Sequence, residues 1–101
     1  MSRLIDLSIP LDNDIPADPP FQPVEIDYVE HDQGATELAG AFPGLSVDEL
    51  PDSKGWAVER VRISTHNGTH MDAPWHYHPT QHGGAPATKI DAIPLDWGMR
   101  P

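Results

Sequence analysis

The chain has 101 residues, of which 38% are apolar and 12 are proline, so it is limited to one small domain with a modest core and many turns. Its formal net charge of −10, with only six Lys and Arg in all, excludes the clustered basic surface that a nucleic-acid partner requires. There is no cysteine for a disulfide or a thiolate metal site, no apolar run of the roughly 20 residues that span a bilayer and no secretory leader pattern, so a cytoplasmic protein without a membrane partner is expected.

In chain order, Leu4-Ile5-Asp6-Leu7-Ser8-Ile9 is short, apolar and bounded by Pro10, which predicts a first strand. An irregular connection over residues 10–23 follows, interrupted by Pro10, Pro16, Pro19, Pro20 and Pro23. Val24-Glu25-Ile26-Asp27-Tyr28-Val29-Glu30 alternates apolar and acidic residues with period two, the pattern of a half-buried strand. Residues 34–55 read as a loop, with a capping-box signal at Ser46 and Glu49 that Pro51 limits to about one helical turn. Residues 56–65 alternate again, with Val61, Ile63 and Thr65 on one side and Arg60, Arg62 and Ser64 on the other, and this third strand runs directly into a histidine-rich segment. His82-Gly83-Gly84-Ala85-Pro86 predicts a turn, and residues 89–95 a short apolar patch.

The chemistry concentrates in His66-Asn67-Gly68-Thr69-His70-Met71-Asp72-Ala73-Pro74-Trp75-His76. Four potential metal ligands, His66, His70, Asp72 and His76, fall within these eleven residues, and imidazole nitrogen with carboxylate oxygen suits zinc, manganese or iron. Gly68, Thr69 and Pro74 disfavour a regular helix here, so an extended segment is expected, in which His66, His70 and Asp72 share parity and point to one side. Gly68 allows the chain to turn around a ligand, and Pro74 makes Ala73 extended and sets the direction in which His76 returns. His76 can serve as a ligand or as a base. Thr69 can orient a neighbouring ligand by a hydrogen bond, and Trp75 either lines a substrate pocket or packs. His31, His78 and His82 have no spacing that selects them, and surface or packing roles are the ordinary ones.

This segment resembles the motif His-x-Gly-Thr-His-x-Asp-x-Pro-x-His of the cyclase family, metal-dependent hydrolases that include bacterial kynurenine formamidase and isatin hydrolase. His66, Gly68, Thr69, His70, Asp72, Pro74 and His76 occupy every specified position. Ile5-Asp6-Leu7-Ser8-Ile9-Pro10-Leu11 is similar to the family's N-terminal strand and Ile90-Asp91-Ala92-Ile93-Pro94-Leu95 to its continuation after the motif. The resemblance implies an α/β, three-layer β/β/α (swivelling-domain-like) fold of which this chain is the β-rich N-terminal portion, a single incomplete domain over residues 1–101. Family members are about twice as long, and their second half supplies further His and Glu or Gln groups to the site. The resemblance also implies one or two divalent metals, Zn2+ or Mn2+, bound with the help of His66, His70 and Asp72. His76 then matches a position tied to metal binding or proton transfer, and homo-oligomers are common.

The function expected on these grounds is hydrolysis of an amide or lactam C–N bond, of the kynurenine formamidase type, by metal-activated water on a small-molecule amide. Two other classes are weighed against it. A non-catalytic metal-binding or assembly fragment fits the short length, and a cupin-like oxygenase is suggested by His76-Tyr77-His78, although residues 79–84 lack the glutamate that should follow.

Overall fold

The computed structural model describes residues 3–15 and 18–99, and Pro16 of the expected connection lies outside them. The chain divides into two compact units, residues 1–68 and 69–101.

In the first unit, β1 (Glu25–Val29) and β2 (Val58–Arg62) form an antiparallel pair in which Glu25 faces Arg62 and Val29 faces Val58. Both strands fall inside the alternating segments that predict them. Opposite charges meet across the pair, with Asp27 beside Arg60 and an Arg62–Glu25 ion pair at 3.7 Å. The far edge of β1 is covered by Asn13, whose amide donates to the Ile26 carbonyl at 2.9 Å and accepts from the Ile26 N–H at 2.7 Å. A side chain thus does at Ile26 what a neighbouring strand would do.

The first predicted strand is not formed. Residues 4–9 carry no regular structure, and Leu4 and Leu7 are almost fully exposed. An apolar run becomes a strand only where a partner takes its backbone donors and acceptors, and none of the described strands pairs with it.

The expected loop after β1 also needs correction, because it contains α1 (His31–Ala41), the longest helix described. Its first residue follows Glu30, which is not a usual helix cap and makes no capping bond, and Gly34 and Gly40 weaken the helical signal. What stabilises α1 is tertiary. A methyl group on Gly34 would collide with the Trp56 carbonyl and one on Gly55 with the backbone of Ala35, so the two glycines allow helix and loop to touch. The Gly55 N–H donates to the His31 carbonyl at 3.0 Å, and Arg60 of β2 pairs with Glu37 of α1 at 2.9 Å. The helix ends at Phe42 before Pro43, and Gly44 at φ +92° completes a turn closed by Leu45 N–H to the Phe42 carbonyl. The capping box forms as expected: Glu49 accepts from the Ser46 N–H at 2.8 Å, over the single 3-10 turn Val47–Glu49.

The second unit contains a single helical turn, α2 (Pro74–Tyr77), and a small hairpin of β3 (Thr80–Gln81) with β4 (Ala85–Pro86). The turn predicted at residues 82–86 lies here, with His82, Gly83 and Gly84 all at positive φ. The apolar patch at residues 89–95 takes the form of 3-10 turns, Ile90–Ala92 and Leu95–Met99.

Among the described residues, the buried apolar ones are Val29 and Ala35 in the first unit and Ala73 and Ala87 in the second. The described residues therefore make a mixed α/β chain of two short antiparallel sheets and a helix. The three-layer arrangement implied by resemblance goes beyond them. No helix among the described residues is long and apolar enough to cross a membrane.

Candidate metal centre

The motif begins where β2 stops. After Arg62 the chain tightens into a turn in which Asn67 N–H donates to the Ser64 carbonyl at 3.0 Å and the Asn67 side-chain oxygen accepts from the Ser64 N–H at 2.7 Å. Asn67 is buried, and its amide nitrogen donates to Asp18 at 2.9 Å and to the Gln22 carbonyl at 2.8 Å. The Asp18 carboxylate also accepts the Gly68 N–H, at 3.0 and 3.1 Å from its two oxygens. One buried amide thus ties the start of the motif to the proline-rich connection. Nothing in the sequence pairs residues 49 positions apart, and Asn67 falls at an unspecified position of the motif.

Gly68 has φ +61°, and a Cβ there would stand 2.8 Å from Leu11 Cδ2. Both facts demand glycine, as the expected turn implies. Thr69 follows on the exposed surface.

Within the second unit, His70 Nε2 lies 3.3 Å from Asp72 Oδ1, and the Tyr77 hydroxyl donates to Asp72 Oδ2 at 2.9 Å. The hydrogen bond to Asp72 and the negative charge of its carboxylate hold the Tyr77 phenol above its ordinary value. Ala73 is extended at φ −90°, ψ 158°, as the following proline requires, and Pro74 opens α2, where its missing N–H costs nothing. This one turn presents His76 and Tyr77 beside each other, ring centroids 4.9 Å apart. Trp75 is anchored by its N–H to the Thr88 carbonyl at 3.1 Å, and Lys89 sits 4.8 Å over its half-exposed ring. His78 is engaged locally, its Nδ1 accepting the Thr80 N–H at 3.1 Å.

Of the candidate ligands, His66 lies in the first unit, and the second unit holds His70, Asp72 and His76. His70 keeps its place beside Asp72. The donor set of two imidazoles and one carboxylate belongs to the nitrogen and oxygen chemistry of zinc and manganese.

Residues 5–101 match the Cyclase family model. The chain belongs to the Cyclase family. Comparison with curated proteins and with solved structures gives no match. The match covers this Cyclase-family chain from Ile5 onward, so the motif and both flanking segments lie inside it.

Proposed function

We propose that this chain carries the ion-binding segment of a metal-dependent hydrolase that cleaves an amide or lactam C–N bond, with an arylformamide or related cyclic amide as substrate. The observation that carries this reading is the family's complete motif at residues 66–76, with His70 Nε2 standing 3.3 Å from Asp72 Oδ1. Three protein ligands are the usual complement of a catalytic zinc site, which keeps a further position for water or substrate. A bound Zn2+ or Mn2+ lowers the pKa of its water from ~15.7 towards ~7 and polarises a carbonyl oxygen. His66, His70, Asp72 and His76 of the motif would hold the ion, with His70 beside Asp72. Imidazole is the side chain most often used for general acid–base work, so His76 is the first candidate for proton transfer. Gly68 and Thr69 support the ligands, and the exposed face of Trp75 is proposed to meet the substrate. Within the Cyclase family the cupin-like reading of His76-Tyr77-His78 loses its basis.

Calorimetric titration with zinc and with manganese tests ion binding, and hydrolysis of an arylformamide tests the reaction. Binding should weaken in acid, because histidine must be neutral to ligate. Absence of binding by either metal removes the site assignment, and binding without hydrolysis of any amide leaves a non-catalytic ion-holding chain.

A further inference from the structure

We propose that Tyr77 is a positioning residue whose hydroxyl holds Asp72 Oδ2, so that the carboxylate serves as a one-oxygen ligand. The inference rests on the reading of Asp72 as a ligand. Tyr77 lies outside the motif's specified residues, and it reaches Asp72 only through the local backbone. Extended Ala73 and the turn opened by Pro74 bring a side chain five residues on back to the carboxylate, with the hydroxyl 2.9 Å from Oδ2. The other oxygen, Oδ1, lies towards His70 Nε2 at 3.3 Å. The two oxygens of Asp72 are therefore not equivalent.

That inequality has a chemical consequence. A carboxylate that binds through both oxygens suits a large, hard cation with many ligands, whereas four-coordinate nitrogen and oxygen sites take one oxygen from each carboxylate. A hydrogen bond to Oδ2 draws electron density from that oxygen and opposes two-oxygen binding. It also fixes the carboxylate's rotation, the usual service of a group hydrogen-bonded to a ligand. Packing does not explain the contact, because Tyr77 is 72% exposed and water would satisfy its hydroxyl equally well.

The test uses Co2+ as the probe, added to the full chain and to Tyr77→Phe. The expected result is cobalt affinity lowered by about 10–100-fold, the range for losing a partner of a metal ligand. The visible d–d bands should shift as well, reporting a changed ligand field, while the thermal midpoint of the metal-free protein stays the same. A purely structural tyrosine would lower the midpoint and leave the bands of the bound metal unchanged, which overturns the proposal. Equal affinity and identical bands in parent and variant overturn it alone and leave the metal site standing. A change confined to the KM for an amide would make Tyr77 a substrate contact, again against the proposal. If the parent itself binds no cobalt, the metal reading fails and this inference falls with it.

Discussion

Asn67 satisfies one buried amide with three partners: the Ser64 N–H, the Asp18 carboxylate and the Gln22 carbonyl. Asn67→Ala removes all three bonds and leaves part-buried backbone groups unpaired, which should cost about 2–3 kcal/mol in urea unfolding. A loss below about 0.5 kcal/mol, the level of an ordinary surface change, would mean that the latch is not structural. The ligands respond differently. Asp72→Asn removes a negative charge from the proposed ion site, so metal content should fall and excess metal should restore part of it. His76→Ala should lose metal as well if His76 is a ligand. Retained metal with turnover reduced by roughly 10²–10⁴-fold would make it the proton carrier instead. Metal analysis and steady-state rates on the same preparations separate the two. At this scale the motif residues were legible because their spacing is local, whereas Asp18 was not, because its partners are 49 and 50 positions away.

Helix α1 depends on close contact with the segment around Gly55 rather than on its own caps. Gly34→Ala should therefore destabilise the protein by about 3 kcal/mol despite alanine's better helix propensity, since the new methyl meets the Trp56 backbone carbonyl. An increase in thermal stability would show that the two backbones are not in contact. The helix is also tied to β2 through Glu37 and Arg60. The hydrogen bond from Arg60 holds the Glu37 carboxyl below its ordinary value of 4.5. A depressed folded value means that the unfolded chain takes up the proton first. Stability from this group is thus present above 4.5 and lost as pH falls through the lower folded value. Unfolding followed by circular dichroism as pH is lowered below 4.5 should show this loss, and Glu37→Gln should lack that part of the slope. An unchanged slope would place the acid sensitivity elsewhere. The two paired strands were legible as elements because alternation reports a half-buried face. α1 was hidden because glycines that weaken a helix in isolation are what allow this one to pack.

Among the described residues, the buried apolar set of Val29, Ala35, Ala73 and Ala87 contains no large side chain, while Leu4, Leu7, Phe21, Leu95 and Met99 are at least 80% exposed. Such apolar surface favours association, and the net charge of −10 opposes it. We propose that the chain self-associates, and that salt promotes this by screening the charge. Sedimentation velocity at low and high salt should show a larger species as salt rises. A monomer under both conditions would contradict it.

By itself, the sequence determined the metal-ligating vocabulary, the two alternating strands, the Ser46–Glu49 turn and the glycine requirement at residue 68, since each depends on residues close together in the chain. Tertiary structure decided that residues 4–9 form no strand, that residues 31–41 form a helix and that Asp18 grips the start of the motif. The division has one physical cause. Periodicity and spacing record what a segment can bury or turn by itself, whereas strand pairing, backbone contact at glycine and buried hydrogen bonds exist only when a second segment arrives to complete them.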